Sequence, residues 1–128
     1  MKLVIGGYAQ GKLRYVLKEY KEAQCLVLEG SLPGEQELKS GKILVINHLN
    51  LLVREALSRE ENPEEWLETL ADLQQECIVI SDETGNGIVP MDAFEREYRD
   101  RMGRILIGLA ERADEVVRVI CGIGQKIK

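Results

Sequence analysis

The residues best suited to chemistry stand near the amino end, at Gly6-Gly7-Tyr8-Ala9-Gln10-Gly11-Lys12-Leu13. The spacing G-x-x-x-x-G-K belongs to phosphate-cradling loops. Their glycines let backbone N–H groups turn inward, and the lysine reaches the terminal phosphates. A helix starting directly afterwards adds the positive end of its dipole. The plainer reading is a glycine-rich turn with an exposed lysine. Leu13 departs from the motif. A serine or threonine hydroxyl normally stands there to ligate Mg2+, a hard ion that wants oxygen, and leucine supplies none. Leu13 also extends the apolar stripe of the following helix, and both accounts can hold together.

Two later loops are candidates as well. Asn47-His48 follows an apolar run, at a point where phosphoryl-transfer proteins with such a loop usually carry an acid that holds Mg2+. Asn47 offers only a neutral amide oxygen, and His48 reads either as a base or nucleophile or as a structural histidine. The segment Ser81-Asp82-Glu83-Thr84-Gly85-Asn86-Gly87-Ile88-Val89-Pro90 sets two adjacent carboxylates ahead of two glycines. It is a site or a solvated acidic turn.

These loops need strands before them and helices behind. Apolar runs at 2–5, 24–29, 43–46, 77–80 and 116–121 predict buried strands. Leu13, Val16, Leu17 and Tyr20 fall on one helical face. Residues 49–57 are apolar almost all round and predict a buried helix. Asn62-Pro63-Glu64-Glu65 predicts a capped helix start, with Trp66, Leu67, Leu70 and Leu73 as the buried stripe. A long helix is expected from Asp92 to about Ala113, with Phe94, Tyr98, Met102, Ile105 and Leu109 inward, and the tail after Gly122 as a short edge strand. Strands that are continuous apolar runs and alternate with helices predict an α/β domain, its mostly parallel sheet covered on both faces. Ligands bind such sheets at the carboxyl ends of the strands, which is where the three loops lie.

Composition sets the outer bounds. The chain has 128 residues, 45% hydrophobic and 30% charged, with a net charge of −5. That predicts a single domain over residues 1–128 and argues against disorder and electrostatic nucleic-acid binding. No apolar run is long enough to span a membrane. Met-Lys running straight into Leu-Val-Ile predicts no signal peptide. Cys25, Cys77 and Cys121 each sit in apolar sequence and predict buried thiols in a reducing cytoplasm. One histidine and no Cys-x-x-Cys give no His/Cys metal site.

The later motifs resemble those of the adenosylcobinamide kinase/adenosylcobinamide-phosphate guanylyltransferase family of cobalamin biosynthesis. The family's Asn-Glu-Val-Gly-x-Gly-Ile-Val-Pro stands here as Asp82-Glu83-Thr84-Gly85-Asn86-Gly87-Ile88-Val89-Pro90. Tyr98-Arg99-Asp100, Gly103-Arg104, Ala113-Asp114-Glu115-Val116 and Gly122-Ile123-Gly124-Gln125-Lys126 follow in order, and the Gly-Gly-x-x-x-Gly-Lys loop and Asn62-Pro63-Glu64-Glu65-Trp66 match as well. The resemblance implies a three-layer P-loop (RecA-like) fold with a mostly parallel sheet of about five to seven strands. It implies nucleotide binding through Gly6 to Leu13 with ATP or GTP, a cobinamide substrate, a homotrimer and no membrane span. Lys12, Asp82 and Glu83 become the candidate catalytic residues.

Departures from the family pattern limit what carries over. Its P-loop hydroxyl is Leu13, its strand-three acid is Asn47, and its Asn-Gln pair in the last long helix is Leu106-Ile107. Residues 30–42 are a shortened segment without the guanylylated histidine, and His48 lies beyond strand three. The guanylyltransferase nucleophile is therefore missing, and Mg2+ loses both ordinary contacts. Asparagine and aspartate have traded places at 47 and 82, so either Asp82 supplies the lost carboxylate or both positions have drifted. Three readings remain: a nucleotide binder with weak or altered kinase activity, a non-catalytic binder that regulates or scaffolds, or an oligomer without ligands. Leu106 and Ile107 add apolar surface to the long helix and predict an oligomer, which the resemblance implies to be a trimer; light scattering at micromolar concentration is expected to give that mass, and a monomer mass would refute it.

Overall fold

The structure, a computed structural model, describes residues 1–84 and 92–128. The Gly85–Pro90 part of the family motif lies outside the described residues. Strands β1 (Lys2–Gly6), β2 (Cys25–Glu29), β3 (Ile43–Asn47), β4 (Cys77–Asp82), β5 (Glu115–Ile120) and β6 (Ile123–Lys126) form one sheet in the order β2-β3-β4-β1-β5-β6. The first five pair in parallel, and β6 runs antiparallel to β5. Helices α1 (Lys12–Glu19), α2 (Glu35–Leu38), α3 (Leu49–Ser58), α4 (Trp66–Ala71) and α5 (Ala93–Arg112) connect them. This is the mostly parallel α/β sheet that the strand–helix alternation predicts, and the three-layer P-loop-like fold that the resemblance implies.

The two faces of the sheet are covered unequally. Alternate residues of a strand point to opposite faces. Leu3, Leu28, Leu44, Ile46, Val79 and Val116 face one way, into a large core with α3, α4 and α5. Met102 and Leu109 of α5 are fully buried there, each contributing about 1.5–3 kcal/mol through removal from water. Val4, Val45, Ile78, Ile80, Val117 and Val119 face the other way, where Val16 of α1 completes a smaller cluster edged by Leu13, Leu17 and Tyr20. Helix α2, in the shortened segment, has no buried residue.

Several expectations need correction. Cys121 is exposed, unlike buried Cys25 and Cys77. It lies beyond β5 in a two-residue turn with Gly122, both at positive φ (51° and 75°), between the paired Ile120 and Ile123. A tight hairpin of that hand requires positive φ at both central residues, so the chain reverses before Cys121 can enter the sheet. Asn62 caps nothing with its side chain. The first turn, Pro63–Glu65, is a 3-10 helix, and the α-helix is confined to Trp66–Ala71. Only Leu70 of the expected stripe is buried within that helix; Trp66 and Leu67 are half-buried, and Leu73 falls after its end. Helix α3 is not apolar on every side, since Leu51 is exposed. Of the α5 pair, Leu106 is half-buried against the core of its own chain and Ile107 is exposed, so only one of them carries the surface argument.

A polar clamp joins the 3-10 turn ahead of α4 to α5. Arg101 donates from Nε and Nη2 to the two carboxylate oxygens of Glu64, both at 2.6 Å, a planar fork matched to a carboxylate. The Arg101 guanidinium holds the Glu64 carboxyl below its ordinary 4.5. A depressed carboxylate pKa contributes stability above the unfolded value and loses it as pH falls through the folded one. Urea unfolding is therefore expected to find Glu64→Gln weaker than the parent by up to about 1 kcal/mol at neutral pH. That gap should close as the pH falls well below 4.5; a gap independent of pH would assign the loss to packing.

Candidate functional site

Register brings the site together. Gly6 of β1 pairs with Asp82 of β4, and Glu29 of β2 pairs with Asn47 of β3. Ile46 pairs with Val79, so Asn47 stands level with Ile80, two residues before Asp82. Glu29, Asn47, Asp82 and Gly6 thus share the α1 face at the carboxyl ends of parallel strands. There they border a cleft of ≈ 340 Å³ that Tyr8 to Arg14, His48 and the side chains of Glu29, Asn47 and Asp82 line.

The Gly6–Lys12 loop leaves β1 through a tight passage. A Cβ on Gly6 would stand 2.5 Å from the Val119 carbonyl oxygen, so only glycine fits. Gln10 ties the loop to the β5–β6 turn, its Oε1 accepting from the Cys121 N–H and its carbonyl from the Gly122 N–H, both at 2.8 Å. Gly11 takes φ +84° just before α1, and the first turn of that helix has neither an acidic residue nor a side-chain cap. Its leading N–H groups therefore present positive potential with no built-in anion. Tyr8, 82% exposed, borders the cleft without filling it.

Lys12 is buried, at 7% exposure. Its Nζ donates to the Gly7 carbonyl at 2.7 Å and pairs with Asp82 Oδ1 at 2.6 Å. Asn50 at the start of α3 steadies Asp82: its Oδ1 accepts from the Asp82 N–H at 3.1 Å, and its Nδ2 donates to Asp82 Oδ2 at 3.4 Å. Leu13 both lines the cleft and packs into the smaller apolar cluster.

Glu83 is turned elsewhere. Arg118 of β5 grips its carboxylate from Nε at 2.6 Å and from Nη2 at 3.0 Å, and the Glu83 N–H donates to the Gly6 carbonyl at 2.8 Å. Glu83 therefore ties β4 to β1 and β5 and does not line the cleft. Sequence reasoning also passed over Glu29. Asn47 Nδ2 donates to Glu29 Oε1, and His48 Nδ1 stands 3.0 Å from Glu29 Oε2. Partial burial pushes the Glu29 carboxyl up, but the bonds from His48 and Asn47 outweigh it and hold the group below its ordinary value. The one available signal was a charged residue closing an otherwise apolar strand at its carboxyl end. His48 itself takes φ 55° as α3 begins.

The donor set suits a small hard cation held jointly with phosphate. Glu29 and Asp82 bring carboxylates to one cleft, and Mg2+ in phosphate sites uses one or two carboxylates, phosphate oxygens and water. Among the described residues, no group of three or more His, Cys, Asp or Glu is arranged to hold a metal alone. Among the described residues, no helix is long and apolar enough to cross a membrane.

The family described as cobinamide kinase / cobinamide phosphate guanyltransferase matches residues 28–127, a span that begins after the glycine loop. The bifunctional adenosylcobalamin biosynthesis protein CobU of Salmonella typhimurium is 37% identical over 89 residues, covering 57% of this chain and 49% of that protein. The bifunctional adenosylcobalamin biosynthesis protein CobP of Pseudomonas aeruginosa is 32% identical over 109 residues, 80% of this chain and 62% of that one. The corresponding CobU of Escherichia coli is 34% identical over 85 residues, 54% of this chain and 47% of that one. The aligned region thus spans roughly half to three-fifths of these relatives. With a match that runs through most of its length, the chain belongs to the cobinamide kinase / cobinamide phosphate guanyltransferase family.

Proposed function

We propose that this chain binds ATP or GTP in the cleft and keeps a weak or altered kinase activity toward a cobinamide hydroxyl, without guanylyltransferase activity. The observation that carries this reading is Lys12, buried at the end of a glycine loop and paired at 2.6 Å with Asp82. An arriving nucleotide takes Lys12 over from Asp82, so the lysine meets the phosphates and the carboxylate is released toward them. In transfer, the bond from the γ-phosphorus to its bridging oxygen breaks and a bond to the acceptor oxygen forms. The acceptor proton passes to Asp82 or to water. Bound Mg2+ would neutralise charge on the β- and γ-phosphates. Leu13 offers that ion nothing, which argues for a slow reaction.

Guanylylation needs a covalent nucleophile. Residues 30–42 contain no histidine, and His48 has Nδ1 engaged with Glu29. Assembly as a homotrimer and a cytoplasmic setting follow from the same family reading. Leu13 favours the second reading, a non-catalytic nucleotide- or corrinoid-binding regulatory or scaffold oligomer.

Calorimetric titration with ATP and GTP, with and without Mg2+, tests binding, and phosphate transfer to cobinamide tests turnover. Lys12→Ala is expected to weaken nucleotide binding about tenfold or more, the scale of a lost charge-assisted contact. Asp82→Asn is expected to remove residual phosphorylation. If Asp82→Asn leaves turnover and metal-dependent binding unchanged, Asp82 has no role and the non-catalytic reading gains. If the parent protein binds neither nucleotide, the proposal fails.

A further inference from the structure

We propose that Glu29 is the cleft's cation-facing carboxylate, moved by one strand from position 47, and that Asn47 is present to hold it. The inference rests on the nucleotide-binding reading above and extends it to a residue outside the family motifs. An acid stands at position 47 in the resembling family, and here the residue is Asn47. In the sheet its partner across the β2–β3 ladder is Glu29. Asn47 Nδ2 donates to Glu29 Oε1, so a carboxylate oxygen lies one hydrogen bond from the position that has lost its own. Both side chains line the cleft beside Lys12.

The pairing explains both residues at once. An aspartate at 47 would set two carboxylates against each other across adjacent strands, each raising the other's pKa. An amide donates instead and leaves Glu29 ionised. His48 adds a contact at 3.0 Å to the other oxygen, so the carboxylate is oriented from two sides. Each oxygen retains a lone pair for a further partner. Position favours Glu29 over Asp82 for this role. Without nucleotide Asp82 is held by Lys12 at 2.6 Å, and on nucleotide arrival it is the group left to take the acceptor proton, whereas among the described residues Glu29 makes no ion pair with a lysine or arginine. The ligand class is a hydrated divalent cation accompanying a nucleoside triphosphate, reached directly or through one water.

The test is ATP and GTP affinity, measured in EDTA and in Mg2+, with Mn2+ paramagnetic resonance as a direct readout of bound metal. Four proteins are compared: the parent, Glu29→Gln, Asn47→Asp and the exchanged pair Glu29→Gln/Asn47→Asp. Glu29→Gln is expected to keep its EDTA affinity within about twofold and to lose about tenfold or more of the metal-dependent gain, the scale of a lost metal contact. The exchanged pair restores donor against acceptor with the carboxylate on β3, and it is expected to regain the metal-dependent gain. A merely structural Glu29 would give no such rescue. Retained metal enhancement in Glu29→Gln overturns the inference, and so does a loss that the exchange does not repair. Nucleotide binding by the parent without metal enhancement overturns this inference alone, whereas no nucleotide binding in EDTA or Mg2+ overturns the reading on which it rests.

Discussion

The site depends on how β1 ends. The strand is held between β4 and β5 in parallel register, and at Gly6 the backbone passes so close to the Val119 carbonyl that no side chain is tolerated. The Gly6 carbonyl is then taken by the Glu83 N–H, while Gln10 is taken by the β5–β6 turn. With both ends of the loop fastened, Lys12 begins α1 beside Asp82. A loop anchored at one end only would leave a lysine free to reach solvent, where hydration of its ammonium is most favourable.

Burying that lysine is acceptable only because its charge is met. Asp82 and the Gly7 carbonyl both bond Nζ, and Asn50 in turn fixes the carboxylate. The contacts continue away from the cleft. Asn50 stands beside the buried Tyr98 of α5, and Arg54 lies 4.3 Å from the Tyr98 ring centre while pairing with Glu95. Burial pushes the Tyr98 hydroxyl up, so it stays a neutral hydrogen-bonding group. Helices α3 and α5 therefore support the cleft through polar contacts as well as through the apolar core beneath it. Losing one partner would expose the rest of the chain of contacts to the penalty of an unmatched buried group.

The unequal layers bear on where the cleft opens. Three helices pack on one face of the sheet, and α1 covers the other with a much smaller cluster. The cleft lies on the thin side, where Glu29 and Asn47 end their strands. The short connection from β2 to β3 buries nothing from α2, and Glu29 and Asn47 border the same cleft as the Gly6–Lys12 loop.

Much of this was legible in the sequence because it is local. Continuous apolar runs mark buried parallel strands, the 3.6-residue stripe marks α5, and G-x-x-x-x-G-K marks a strand–loop–helix passage. Each is a property of a few adjacent residues. Leu13 and Asn47 were visible as departures from a pattern for the same reason. Tertiary structure decided the pairings. Asp82 meets Lys12 although 70 positions separate them, Glu83 is drawn away from the cleft by Arg118, and Glu29 reaches Asn47 across the ladder. Adjacent carboxylates at 82 and 83 look equivalent in sequence, but successive side chains on a strand leave from opposite faces, so one enters the cleft and the other leaves it. Cys121 looked like the end of a buried strand until the hairpin turn put it outside. Residue type and spacing specify which elements form; only strand order and register determine which charges share a space, because that depends on contacts between residues far apart in the chain.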